Sequence, residues 1–249
     1  SAMKLTIVGC SGSFPGPDSP ASSYLVEHEG HQILLDMGNG SAGALQRYTD
    51  PYALDAIFVS HLHVDHCIDR TSYYVMRNWN PDGPKPVLPV YGPEGTHERM
   101  KSAYGPLPGA GMAERFDFHD HQPTVEIGPF RVTTARVDHV VTAYGIRVEA
   151  GGRTLVYSGD TAPTEALVEL SRGADLALYE SAFLSGRDNP PHLHLTPTEA
   201  ADHARRADVD RLMLTHLVAW NDRVQTVDEA HESWGDSVLF AESGLSVEV

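Results

Sequence analysis

A layered α/β fold is what this sequence predicts, on three observations. Short apolar runs of strand character alternate with helix-like segments along the whole chain. Hairpin signals are mixed among them, so the strands do not all run one way. The chain's 249 residues suffice for one large domain with a sizeable core. This interleaving fits a layered body without fixing its topology.

Element by element, Lys4 to Val8 reads as the first strand, followed by the small-residue loop Gly9-Cys10-Ser11-Gly12-Ser13 and a Pro-rich stretch to Pro20. Ser23 to Val26 and Gln32 to Leu35 form a hairpin pair around Glu29-Gly30, and Asp36 ends the second strand. Ala42 to Tyr48 reads as a short helix, Ala56 to Val59 as a strand, and Asp69 to Asn78 as a helix. Val87 to Tyr91 is a strand and Pro93 to Tyr104 a helix with proline at its start. Gly105 to Gly111, rich in Gly and Pro, reads as a mobile loop near the site and a candidate lid. Three strands are expected between Thr124 and Glu149, and a fourth from Thr154 to Ser158. Helices over Pro163–Ser171, Pro197–Ala207 and Val227–Trp234 alternate with strands over Leu176–Tyr179, Arg211–Thr215, Val238–Phe240 and Leu245–Val249.

The most informative run is His61-Leu62-His63-Val64-Asp65-His66, directly after the apolar Ala56-Ile57-Phe58-Val59. Three imidazoles and a carboxylate on one loop can surround two metals. His61 and His63 could share one ion, Asp65 and His66 a second. Neutral imidazole and carboxylate suit zinc, iron or manganese. Further candidates follow in Asp138-His139-Val140, Ser158-Gly159-Asp160-Thr161 and Leu214-Thr215-His216-Leu217. Each follows or ends an apolar β-rich run, which places all of them on loops at one sheet edge.

With these motifs the chain, from about Met3 onward, resembles the metallo-β-lactamase superfamily, and its phosphodiesterase branch in particular. The resemblance implies an αββα four-layer sandwich with the metals at one edge of the two sheets. It implies that His61, His63 and His139 bind one divalent ion, that Asp65, His66 and His216 bind a second, and that Asp160 bridges them. Two such ions, zinc above all with manganese or iron as alternatives, activate water and clamp a phosphoryl centre. Asp65 would also orient that water or accept its proton. Asp36 stands where the family has an Asp that supports the ligand loops.

Two further residues bear on the reaction. In the tRNA 3′-processing endonucleases a Glu orients a His that protonates the leaving alkoxide; Glu180 and His194 match that pair, and Thr196 the Thr that follows. His194 fits better than His192 because Ala200-Ala201 follow it at the family's offset. Tyr179 and Ser181 depart from that motif. An alkoxide is a poor leaving group, so a general acid favours phosphodiesters over β-lactams or thioesters.

Between His139 and Asp160 there is room for two strands and the turn Ala150-Gly151-Gly152, but not for the long arm with which those endonucleases grip tRNA. Phe14 to Ser22 carries no Lys or Arg, and the formal net charge is −16. A nucleic-acid partner is therefore not expected. A small anionic phosphodiester is, since divalent metals make a local positive site on an acidic body. The chain looks most like the actinobacterial-type, atypical class II cyclic-nucleotide phosphodiesterases, on Gly9–Ser13, Gly16–Ser22, His66–Asp69, Gly159-Asp160-Thr161 and Leu214-Thr215-His216. That resemblance implies hydrolysis of 3′,5′-cyclic AMP or a related ester to the monophosphate. An arm-less RNA 3′-endonuclease, another cyclic phosphodiesterase, and a metal-binding module without catalysis are the alternatives.

Ser1-Ala2 before Met3 reads as a tag remnant. No run of 18 apolar residues and no leader pattern is visible, so a cytoplasmic, single-domain enzyme is expected; the resemblance allows a homodimer, and the sequence itself does not fix the oligomeric state. The two cysteines, Cys10 and Cys67, give no disulfide framework and read as buried small side chains. His28, His31, His97, His119, His121, His203 and His231 match no ligand position and read as surface or satisfied core residues.

Overall fold

A computed structural model describes residues 2–249; Ser1, half of the pair read as a tag remnant, lies outside the described residues. Two seven-stranded mixed sheets face each other with helices on both outer sides. The first half of the chain builds β1 (Lys4–Gly9), β2 (Ser23–His28), β3 (His31–Leu35), α1 (Ser41–Leu45), β4 (Ala56–Phe58), α2 (Val64–Cys67), α3 (Arg70–Asn78), β5 (Leu88–Gly92), α4 (Thr96–Tyr104) and β6 (Phe116–Asp120). The second half builds β7 (Thr124–Ile127), β8 (Phe130–Arg136), β9 (Tyr144–Ala150), β10 (Arg153–Tyr157), α5 (Glu165–Ser171), β11 (Leu176–Glu180), α6 (Pro197–Arg206), β12 (Arg211–Thr215), α7 (Arg223–Ser233), β13 (Leu239–Phe240) and β14 (Ser246–Glu248).

The first sheet has the order β14-β1-β2-β3-β4-β5-β6 and the second β13-β12-β11-β10-β9-β8-β7. The first sheet is antiparallel from β14 to β3 and parallel from β3 to β6; the second is parallel from β13 to β10 and antiparallel from β10 to β7. The β2–β3 turn is the predicted Glu29-Gly30, both with positive φ (49° and 80°), as a two-residue hairpin turn requires.

Three apolar clusters define four layers, the expected αββα order. Between the sheets, Leu5, Val26, Ile33 and Phe58 meet Phe130, Ile146, Leu155 and Leu178. Outside the first sheet, Leu34, Ile57 and Val90 pack on Leu45, Tyr73 and Met100. Outside the second, Val156, Ala177 and Leu214 pack on Leu167, Ala200 and Ala230. Alternate residues of one strand thus feed different layers (Ile33 inward, Leu34 outward), because side chains alternate across a sheet. Strands covered on both faces carry no polar face, which explains their unbroken apolar runs.

The structure departs from expectation at element ends. α4 starts at Thr96, not Pro93, because the Pro93 carbonyl accepts from both the N–H (3.2 Å) and the hydroxyl (2.6 Å) of Thr96 in a preceding turn. α7 starts a turn earlier than Val227, where the Asp222 carboxylate caps the N–H groups of Val224 and Gln225 at 2.9 and 3.4 Å. α1 stops at Leu45. Two elements were not anticipated: β6, whose Phe-Asp-Phe-His-Asp carries two Asp and a His because it edges the sheet, and the four-residue α2 inside the His motif. Among the described residues no helix is long and apolar enough to cross a membrane.

Candidate metal centre

The candidate residues converge at the carboxyl ends of the parallel strands, where helix-covered sheets leave room for ligands. β3 runs into Asp36, β4 into Ser60 and His61, β10 into Asp160, β11 ends in Glu180, and β12 runs into His216. α2 carries Asp65 and His66, and His139 lies between β8 and β9. Asp36 and His216 have positive φ (60° and 55°), a backbone state costly for non-glycine residues and typical of functional sites. Gly159 (φ 60°) lets the chain turn toward Asp160; a Cβ there would stand 2.7 Å from the Tyr144 carbonyl.

Two groups of four form around one shared carboxylate. His61, His63, His139 and Asp160 make the first, and Asp65, His66, Asp160 and His216 the second, each with its candidate atoms within 4.8 Å of one another. Asp160 Oδ2 lies 3.3 Å from His61 Nε2 and 3.1 Å from His66 Nε2, while its Oδ1 lies 3.3 Å from His216 Nε2. All seven predicted residues are thus brought together, in the two sets that the resemblance implied.

The tautomers follow from the surrounding hydrogen bonds. Asp36 is fully buried and accepts four times: from Ser60 N–H (2.7 Å) on Oδ1, and from Ser60 Oγ (2.7 Å), Tyr157 Oη (2.6 Å) and His66 Nδ1 (2.7 Å) on Oδ2. The Ser60 hydroxyl proton is committed to Asp36, so His61 Nδ1, 2.9 Å away, must donate to Ser60 Oγ. His139 Nδ1 donates to the Leu193 carbonyl at 2.8 Å. Each of these three rings is therefore protonated on its far side, and Nε2 faces the centre as a lone pair.

The inner atoms fit cations. His61 Nε2, His66 Nε2 and Asp160 Oδ1 are buried and make no hydrogen bond, an arrangement that is costly unless a cation satisfies it. Burial, together with His61, lowers the pKa of His63, and burial holds His139 down to about 4; both are neutral at pH 7, as a ligand must be. Burial opposes charge on His66 and His216 too, but Asp160 and Asp65 outweigh it, raising His216 to about 10 and His66 well above its ordinary value. Asp65 and Asp160 are held well below the usual carboxylate range by His66 and His216, against the effect of burial. The carboxylates thus demand positive charge, which a divalent cation meets with the imidazoles neutral.

Beside this centre, Glu180 is fully buried. Its Oε1 accepts from Thr161 N–H (3.1 Å) and faces His194 Nδ1 at 2.7 Å, and its Oε2 accepts from Ala182 N–H (3.0 Å). Burial opposes charge on His194, but Glu180 more than offsets it and raises the His194 pKa. With Nδ1–H given to Glu180, Nε2 is the atom free to exchange a proton. The ring lies 5.3 Å from that of His216 and 5.5 Å from that of His139, centroid to centroid. His192 is instead an exposed loop residue paired with Asp138 at 2.9 Å. Thr196 caps α6 in a reciprocal box with Glu199: its hydroxyl accepts from Glu199 N–H at 3.1 Å, and its N–H donates to Glu199 at 2.9 Å.

Several contributors had not been singled out. Ser60 and Tyr157 fix Asp36, Ser13 donates its N–H to Asp65 Oδ2 at 3.1 Å, and the Leu193 carbonyl orients His139. Of the histidines set aside, His121 is held by the Val59 carbonyl at 2.6 Å and His203 by the Glu199 carbonyl at 2.8 Å. Both cysteines are buried. In the Gly105–Gly111 stretch, Leu107 packs on the outer cluster of the first sheet, while the cavity beside His63 is lined by Leu62, Val64, Pro93, Arg99 and Val141.

The sequence matches the β-lactamase superfamily domain over residues 31–217. The protein ML1173 of Mycobacterium leprae is 39% identical over 99% of this chain and 89% of its own length. The probable metallo-hydrolase YhfI of Bacillus subtilis is 30% identical over 98% of both chains. The YhfI crystal structure superposes with a TM-score of 0.88 over the full length of both. Ribonuclease Z of Haloarcula marismortui is 27% identical over 98% of this chain and 96% of its own. The chain belongs to the metallo-β-lactamase superfamily and is a metal-dependent hydrolase.

Proposed function

We propose that this hydrolase is a dinuclear phosphodiesterase acting on a small phosphodiester, a 3′,5′-cyclic nucleotide such as cyclic AMP, to give the 5′-monophosphate. The observation that carries this reading is the Glu180–His194 pair, 2.7 Å apart, beside the candidate metal centre. A sugar alkoxide cannot leave without a proton, and a positioned acid contributes about 10²–10⁴-fold. Esters with good leaving groups would not need such a pair.

In this reading His61, His63, His139 and Asp160 hold one cation, and Asp65, His66, His216 and Asp160 the other. Zinc suits the donor set, and manganese or iron would be accepted by it. Bound there, two divalent ions supply a deprotonated water at neutral pH and neutralise charge on the phosphoryl oxygens. Asp65, fixed by the Ser13 N–H, orients the water or accepts its proton. His194 Nε2 delivers a proton to the departing ribose oxygen while Glu180 stabilises the imidazolium. Asp36, through His66 and through Ser60 beside His61, keeps two ring nitrogens aimed inward.

A small ester is favoured over tRNA by what the chain lacks. Its alignment with the Haloarcula ribonuclease Z runs over 301 positions, against 249 residues here, so that relative holds segments absent from this chain. The test is product analysis after incubating zinc- or manganese-loaded protein with 3′,5′-cyclic AMP, with Asp65→Ala as control. AMP formed only by the intact centre supports the proposal. No AMP, from protein that still cleaves bis(p-nitrophenyl) phosphate, overturns the cyclic-nucleotide assignment and moves the search to RNA 3′ ends.

A further inference from the structure

An aromatic-walled cavity of about 290 Å³ opens beside His194, and its lining includes Ser13, Phe183, Arg187, Leu193 and Trp220. Trp220 is 76% exposed, although large aromatic side chains ordinarily bury much of their area. It is not left loose: its ring leans on Phe14, with centroids 4.9 Å apart. Phe183, also in the lining, stands edge-on to the His194 ring at 5.0 Å and 88°. The wall's one guanidinium, Arg187, is exposed and lies 3.4 Å from the Gln225 carboxamide.

This cavity touches the reaction machinery at two points. His194 lines it directly, and Ser13, whose N–H holds Asp65, forms part of its wall. A group protonated by His194 Nε2 is the leaving oxygen, so whatever that oxygen is attached to must extend past His194. Of the two cavities that His194 lines, this one also holds Ser13 in its wall and so reaches toward Asp65. Its exposed, buttressed ring suits a flat π-face, and stacking of that kind accepts any base.

We propose that this cavity is the leaving-alcohol subsite and that it binds the nucleobase, stacked on Trp220 and backed by Phe14. The proposal rests on the phosphodiesterase reading for the direction of the ester. In a 3′,5′-cyclic nucleotide the departing 3′ oxygen remains attached to the nucleoside. Base and leaving oxygen therefore lie on one side of the phosphorus, as the cavity and His194 do. Trp220 is then a binding residue that sets preference among esters, and does not act on the bond being broken.

The experiment compares wild type with Trp220→Ala and Trp220→Phe in two assays. Quenching of tryptophan fluorescence is titrated with adenosine and, separately, with ribose 5-phosphate. The preference for 3′,5′-cyclic AMP over ribose 3′,5′-cyclic phosphate is measured as a ratio of kcat/KM values. The expected result is quenching by adenosine alone, absent in both variants. The preference should fall about tenfold in Trp220→Ala, the order of one base–aromatic stack, and be largely kept in Trp220→Phe. An unchanged preference in Trp220→Ala that still hydrolyses cyclic AMP overturns the subsite and leaves the phosphodiesterase reading standing. Adenosine quenching through Trp220 in protein that hydrolyses neither ester supports base binding in the cavity and overturns the cyclic-nucleotide assignment; no quenching by adenosine overturns the subsite.

Discussion

Replacing Tyr157 by Phe removes one oxygen from the most densely bonded carboxylate in the protein. Asp36 Oδ2 takes three donors, and Tyr157 Oη makes the shortest of these contacts at 2.6 Å. The phenyl ring keeps its packing against Tyr24 (4.8 Å between centroids), so no cavity forms. The carboxylate keeps Ser60 N–H, Ser60 Oγ and His66 Nδ1, so it is not orphaned. What is lost is one hydrogen bond to a charged group, about 1.5–3 kcal/mol. For a chain of this size that corresponds to roughly 3–12 °C in Tm. Because the same oxygen orients His66, metal affinity should also fall, by the order of 10-fold usual for such supporting contacts. Calorimetry and a competitive metal titration read both effects. A Tm within 1 °C of wild type together with unchanged metal affinity would refute the claim that Tyr157 organises the centre through Asp36.

Other perturbations have equally definite outcomes. His194→Ala should slow alkyl phosphodiesters by about 10²–10⁴-fold and p-nitrophenyl esters far less; equal losses with both leaving groups would remove His194 as the proton donor. Gly38→Ala should abolish activity and lower metal content, because the new Cβ would lie 2.0 Å from the Asp65 carbonyl; a normally loaded, active variant would show that α2 can move without consequence. His121, pushed by burial down to about 4, destabilises the fold in acid. Above its unfolded pKa near 6.5 both states are neutral and stability is full. As pH falls from about 6.5 toward 4 only the unfolded chain takes the proton, and stability drops by at most about 3 kcal/mol. Denaturation midpoints for His121→Gln that lose stability across that window as steeply as wild type would contradict this.

The candidate centre was legible because its chemistry is concentrated in residue types that ordinary cores avoid. His61, His63, Asp65 and His66 sit within six positions, and Asp160 and His216 each end an apolar strand. Glu180 and His194 were legible only through resemblance. They lie on separate elements, and nothing in either local sequence tells of a 2.7 Å contact between them. Strands buried on both faces were found as unbroken apolar runs, but β6 was not, since an edge strand tolerates Asp117, His119 and Asp120. The partners of Asp36 escaped notice for a different reason. Ser60 and Tyr157 are common residues at unremarked positions, and only the approach of β4 and β10 across the sheets makes them donors to one carboxylate.

Each group of four around Asp160 draws two members from the first sheet and two from the second: His61 and His63 with His139 and Asp160, Asp65 and His66 with Asp160 and His216. Neither sheet holds a complete half. A nascent chain that has finished only β1 to β6 displays the His motif but only two of the four members of each group. Once loaded, each ion would act as a stitch across the seam and oppose any sliding of one sheet over the other.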